Sequence, residues 1–254
     1  MTGTLFFIFG LIFGSFINAV VWRLPKRKKI IFDQSECVHC GHKLGFWDLF
    51  PVLSFLYLKG KCRYCGLKIS PQYPIVELSA GFGLLAVSKY GFGFSENIWL
   101  SGIFILSLLV FLYDLKYFLI LDRFVAIGII WVFFGLVFFQ RANLVENFLT
   151  ASAVFLFFFS IYFFSKGKWM GGGDSKLGFV IGLWLGWPLG VLSILFASII
   201  GSAIGLSLVA VNMAKMKTKI PFGPFMIIGA WISYFFGDQI INWYMGLFDV
   251  FYKI

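Results

Sequence analysis

The residues best equipped for chemistry are three aspartates, Asp114, Asp122 and Asp174, and four cysteines, Cys37, Cys40, Cys62 and Cys65. Asp174 lies in the glycine-rich turn Met170-Gly171-Gly172-Gly173-Asp174-Ser175-Lys176-Leu177, at the mouth of an apolar run. A carboxylate entering a membrane is costly to bury, so it is read first as a functional group. Two carboxylates brought close cannot both ionise easily, and near neutral pH such a pair holds one shared proton. The ionised member can take a proton from water while its protonated neighbour polarises a carbonyl. That is the equipment for direct attack of water on a peptide bond, with neither a covalent intermediate nor a metal. The chain has no G-x-S-x-G and no H-E-x-x-H, and its only histidines, His39 and His42, flank the Cys40 knuckle. Two other readings of the acids stand beside this one. A single Asp at a helix end is often a cap or a solvated charge, and paired intramembrane acids also suit cation binding or a proton relay in a transporter.

Cys37-Val38-His39-Cys40-Gly41 and Cys62-Arg63-Tyr64-Cys65-Gly66 are two C-x-x-C-G knuckles separated by 21 residues. This spacing suits a tetrahedral Zn²⁺ held by four thiolates. Gly41 and Gly66 permit the tight turns that aim each pair at one ion. Four protein ligands leave no open position, so the metal is expected to be structural, holding together an insert too small for its own core. The alternatives are a labile dithiol, free thiols, or substitution of a ligand by His39 or His42.

The elements that must position these groups follow from composition. The chain of 254 residues is 60% hydrophobic and 13% charged, where globular domains carry about 25% charged residues. It reads as an all-α polytopic membrane protein. The formal net charge of +10 is assigned to cytoplasmic loops that set orientation. No basic run with interleaved aromatics lies outside the apolar stretches, so nucleic acid is not expected as a partner. The first apolar stretch runs into Arg23-Leu24-Pro25 with no small-residue cleavage site, and is read as a retained helix rather than a signal peptide.

A spanning helix needs about 20 apolar residues, with a lower limit near 17. The sequence offers about eight: Thr4–Trp22, Pro74–Val87, Ile98–Tyr113, Phe124–Phe139, Phe148–Phe164, Leu177–Trp187, Leu189–Val211 and Phe225–Phe236, the last extendable to Tyr252. Residues 1–22 form the first transmembrane helix, 23–73 a small cytoplasmic zinc-binding insert, and 74–254 the remaining membrane domain. With the first helix running inward, eighteen of the twenty-one Lys and Arg fall inside, and only Lys89, Arg141 and Lys253 fall outside. That asymmetry is what a correct weave produces. It places Asp114, Asp122 and Asp174 at the cytoplasmic ends of three helices, at similar depth. Gly178, Gly182, Gly186 and Gly190 recur every four residues, a small-residue stripe that lets helices approach closely and is expected to press Asp174 towards Asp114 or Asp122.

Several motifs in order resemble those of the type IV prepilin peptidases. They are Gly14-Ser15-Phe16-Ile17-Asn18 running to Arg23-Leu24-Pro25, the two C-x-x-C pairs, Tyr73-Pro74-Ile75-Val76-Glu77-Leu78, Gly171-Gly172-Gly173-Asp174, and Ile220-Pro221-Phe222-Gly223-Pro224-Phe225. The resemblance covers nearly the whole chain. It implies a multi-pass aspartic endopeptidase of the bacterial inner membrane, with its site facing the cytoplasm. Such an enzyme cuts the basic leader from type IV prepilins and pseudopilins, substrates that reach it through membrane lipid. The family's catalytic pair maps onto Asp114 and Asp174. Asp122, Gly171, Gly173, Lys176 and Glu77 map onto supporting positions, Glu77 being expected as a polar contact within the bundle. The family usually has Pro before the second acid of the D-x7-D stretch, where this chain has Leu121. Members with intact cysteine pairs also resemble enzymes that N-methylate the new amino terminus with S-adenosylmethionine, which is implied here by the resemblance alone.

Overall fold

The computed structural model describes residues 2–251 apart from 31–32, 92, 140–142, 214 and 216–217, with backbone alone at 248–251. Arg141, Lys217 and Lys253 of the charge count, and Tyr252 as the far end of the last span, lie outside the described residues. The chain divides into two compact units, Met1–Leu109 and Val110–Ile254.

The first unit contains α1 (Thr2–Arg23), the short α2 (Leu53–Tyr57), α3 (Gln72–Tyr90) and the first part of α4 (Phe94–Tyr117). Apolar residues of α3 fall at helical spacing, with Val76, Ala80, Leu84 and Val87 all buried. They meet a glycine face on α1. A Cβ at Gly10 would stand 2.4 Å from the Ala80 carbonyl oxygen, and one at Gly14 would stand 2.6 Å from the Glu77 Cα. The two backbones are therefore in contact, the arrangement small residues allow in lipid.

The insert between α1 and α3 contains no β-strand among the described residues, only the isolated bridges Glu36–Lys43 and Lys61–Lys68. It is fastened at its base by polar side chains of α1. Buried Arg23 donates to the Ile30 carbonyl and to Ser35 Oγ, and buried Asn18 donates to the Tyr73 carbonyl.

The second unit holds the end of α4 with α5 (Asp122–Phe139), α6 (Leu144–Ser165), α7 (Gly172–Leu185), α8 (Leu189–Ala210) and α9 (Gly223–Phe251). The stripe at 178, 182, 186 and 190 is used as a close-packing surface, but its partner is α6. Added Cβ atoms would meet Phe158 and Val154 at 178, the Ala151 Cα at 2.7 Å at 182, Asn147 at 186 and Thr150 at 190. Its effect is to lock α7 onto α6 rather than to press it towards α4. Gly186 has φ +66 and ends α7, so the stripe crosses the turn into α8, which follows a cis Trp187–Pro188 bond.

All eight apolar segments form helices, and the chain is a nearly all-helical, multi-pass membrane protein. Six helices among the described residues are long and apolar enough to cross a membrane: Thr2–Lys26, Phe94–Tyr117, Asp122–Phe139, Leu144–Ser165, Leu189–Ala210 and Gly223–Leu247. α3 and α7 are outside that set. α7 has only 14 residues, below the length a straight spanning helix needs.

Candidate active site and cysteine centre

Asp114 lies on the last turn of α4 and Asp174 on the first turn of α7, and both are buried. The two carboxylates are within electrostatic range of each other. Their placement is fixed by Ile120, a buried residue of the connection between α4 and α5. A Cβ at Gly173 would be 2.9 Å from the Ile120 Cβ; a Cβ at Gly223 would be 3.2 Å from Ile120 Cδ1 and 2.6 Å from Asp114 Oδ2. The turn before Asp174 and the start of α9 thus converge on Ile120, and the start of α9 also meets Asp114 at the end of α4. At 173 a Cβ would crowd the Ile120 Cβ, and at 223 it would displace the Asp114 carboxylate.

The two acids are held differently. Asp174 Oδ2 accepts the Gly171 N–H at 3.1 Å, so the carboxylate caps its own helix, a favourable position for a negative group. The Gly223 N–H lies beside the Asp114 carboxylate, yet buried Oδ2 of Asp114 has no hydrogen-bond partner among the described residues. Leaving a buried carboxylate oxygen unpaired costs on the order of 1–3 kcal/mol or more, and such orphans call for a functional explanation.

Asp122 is brought to the same end of this unit but is exposed. Its Oδ1 accepts from Lys176 Nζ at 2.6 Å, joining the first residue of α5 to the first turn of α7, two residues past Asp174. Leu121 stands where Pro is usual. Its carbonyl accepts from Phe124 and Val125 at the start of α5, and its own N–H makes no backbone bond outside helices among the described residues. Glycine at 171 and 173 surrounds the acid at close range, whereas Glu77 lies in the other unit. Glu77 is buried, and its Oε2 accepts the Val52 N–H at 2.7 Å, holding Val52 at φ +61. It is a fastening for the insert.

Two positions at the aspartates were not singled out as site residues in the sequence. Ile120 carries no signal of its own, being one apolar residue among many. Gly223 lies within the Ile220–Phe225 motif, and a glycine flanked by Pro221 and Pro224 could have marked a close approach.

The cysteine centre is assembled as its spacing implies. The four Sγ atoms of Cys37, Cys40, Cys62 and Cys65 lie within 4.8 Å of one another; sulfurs around a tetrahedral ion would be about 3.8 Å apart, given a metal–sulfur bond near 2.3 Å. The halves are near duplicates. Cys37 N–H donates to the His42 carbonyl and Cys62 N–H to the Leu67 carbonyl, at 2.9 and 2.8 Å; Gly41 and Gly66 have φ +70 and +72. The cluster could hold a metal ion. His42 instead lies against Tyr64, with ring centroids 3.6 Å apart and the planes tilted by 32°. The Leu67 backbone hydrogen bond favours the Cys65 thiolate, but burial and the three neighbouring thiols outweigh it and push the thiol up to about 11. A metal must therefore displace a firmly held proton.

Comparison with known proteins agrees along the chain. Residues 8–90 match the bacterial peptidase A24 N-terminal domain, and residues 101–206 match the Type IV leader peptidase family. The chain is 36% identical to the prepilin leader peptidase/N-methyltransferase of Bacillus subtilis (strain 168), covering 95% of this chain and 97% of that one. It is 33% identical to the proteins of the same description from Stutzerimonas stutzeri and Legionella pneumophila, over 94% of this chain and 92% and 93% of theirs. No solved structure matches.

Proposed function

Because this chain belongs to the Type IV leader peptidase family, we propose that it is a prepilin leader peptidase and N-methyltransferase of the bacterial inner membrane, with Asp114 and Asp174 as its catalytic pair. One observation carries the assignment: two buried carboxylates from separate helices lie within electrostatic range, and one has a buried oxygen without a partner. In this reading the ionised carboxylate accepts a proton from water as the water attacks the scissile carbonyl. The protonated carboxyl donates to the carbonyl oxygen, and the proton then passes to the leaving amine. Ile120, Gly173 and Gly223 keep the two acids in register. Lys176 and Asp122 tie α7 to α5 and so steady the turn that carries Asp174.

The distribution of Lys and Arg supports a cytoplasmic facing of the site. Prepilins and pseudopilins are the substrates, entering from lipid with the apolar segment in the bilayer and the basic leader in the cytoplasm. The four thiolates fit a structural Zn²⁺, which would be bound by Cys37, Cys40, Cys62 and Cys65 and would hold the insert's halves together. Methylation of the new amino terminus would use S-adenosylmethionine as a second substrate. The described residues contain no strand and hence no glycine-rich strand-to-helix turn of the dinucleotide-binding kind, so this activity stands on the relatives' names. No observation favours the transporter reading.

The test is incubation of the purified protein with a leader-bearing prepilin, followed by intact-mass measurement. Loss of the leader and a further gain of one methyl group are expected. Leader removal by Asp114→Asn and by Asp174→Asn at the wild-type rate would reject the catalytic pair.

A further inference from the structure

The segment between the two cysteine knuckles combines position and surface chemistry that a water-facing loop does not need. Its position is set by Glu77. Gly14 of α1 lies against the Glu77 Cα, and it precedes Arg23, the end of α1, by nine residues. At 1.5 Å per residue that is about 13 Å in from the end of the helix. The Glu77 carboxylate also interacts with the Ser15 hydroxyl of α1. By accepting the Val52 N–H it holds the middle of the insert alongside α1 and α3, well below the level where α1 ends. α1 is one of the helices able to cross a membrane. Trp22 marks its inner end, with the ammonium groups of Lys26 and Lys28 3.7 and 4.9 Å from its ring centroid, an arrangement common at membrane interfaces.

On either side of Val52 the side chains are large, apolar and uncovered. Phe46 is 71% exposed, Trp47 72%, Leu53 59%, Leu56 63% and Tyr57 81%. Around them the insert is basic: residues 23–73 contain ten Lys and Arg against Asp33, Glu36 and Asp48. Two of those acids are already occupied, Glu36 by Lys28 and Asp48 by Arg63. Apolar aromatics beside surplus positive charge are the chemistry of a surface that enters an anionic bilayer interface.

We propose that residues 46–57 form an interfacial anchor, with Phe46, Trp47, Leu53, Leu56 and Tyr57 seated at the headgroup–acyl boundary and the basic side chains of the insert resting on anionic headgroups. The insert is then a monotopic element, folded down onto the membrane rather than standing in the cytoplasm. Glu77 is the pin that keeps it at that depth. The inference is independent of the peptidase assignment.

The test uses the full-length protein in nanodiscs of phosphatidylethanolamine and phosphatidylglycerol. Subtracting the emission of Trp47→Phe from that of the wild type isolates Trp47. The expected component is blue-shifted, quenched by lipids brominated near the headgroup end of the acyl chain, and untouched by aqueous iodide. Iodide quenching would show a water-facing loop, and quenching by neither agent would show a protein cover; each overturns the proposal. A second measurement needs no substitution. A lipid carrying a photoactivatable group on its acyl chain should label the peptide containing residues 46–57 in the unmodified protein. Absence of label there, with labelling of α1, also overturns it.

Discussion

Gly223 and Asp114 are in a contact that only glycine permits, since a Cβ at 223 would lie 2.6 Å from Asp114 Oδ2. Gly223→Ala is therefore expected to move the carboxylate rather than unfold α9. Misplacing a catalytic group by about 1 Å can lower the rate roughly 100-fold. Cleavage by Gly223→Ala, measured by mass spectrometry on protein with wild-type thermal stability, should fall by about that factor. An unchanged rate would show that the crowding is relieved elsewhere.

The acids should separate into two classes. Asp114→Asn and Asp174→Asn are expected to abolish leader removal, and the double variant should be no worse than either single one, as groups acting as a unit are not additive. Asp122→Asn breaks an exposed ion pair with Lys176, and such pairs contribute about 0–1 kcal/mol. It should retain cleavage within about tenfold. Equal loss in all three variants would place Asp122 in the reaction itself.

The metal centre should be sensitive to acid. The Cys65 thiol, pushed up to about 11 without metal, must lose its proton for the metal to bind, so affinity is expected to fall steadily as pH drops through the whole range below about 11. Competition with a chromophoric chelator across pH measures this directly. Cys37→Ser or Cys62→Ser should release the metal at neutral pH and increase proteolysis between the knuckles. Leader removal should persist if the aspartates alone carry it, which separates the two centres.

The contact between α1 and α3 offers a stability test remote from both centres. A Cβ at Gly10 would be 2.4 Å from the Ala80 carbonyl oxygen, with no flexible side chain to yield. Overpacking of this kind costs about 1–3 kcal/mol. Gly10→Ala should lower the thermal midpoint in detergent, and Gly10→Val more so. A neutral result would mean that the two helices sit further apart in the membrane.

Much of this was legible because membrane sequence is blunt. Apolar runs mark every α-helix among the described residues except the short α2, and cysteine spacing marks the cluster, since both depend on local composition or on side chains that could meet one ion. The aspartates were legible as acids at helix ends. Their closeness is expected from the weave of the helices, but the contacts that bring it about are not legible, because they depend on Ile120 and Gly223, whose meaning comes only from the convergence of three chain segments. The stripe at 178 to 190 is legible as a packing surface, but periodicity does not name a partner, and α6 rather than α4 takes it up. For the same reason Asp122 could not be told from Asp114 by type or by depth. Only its exposure and its pairing with Lys176 distinguish it.

The doubled knuckle has a consequence for how this architecture can vary. Each half supplies its own turn, its own glycine and two cysteines, so an ion held by all four would join the ends of the stretch between them into a closed loop. Closing a flexible loop becomes only slowly more costly as it lengthens, by roughly 0.6 kcal/mol per doubling. The clasp at its neck would therefore tolerate a longer or shorter intervening segment, whose sequence is constrained instead by the hold of Glu77 on Val52.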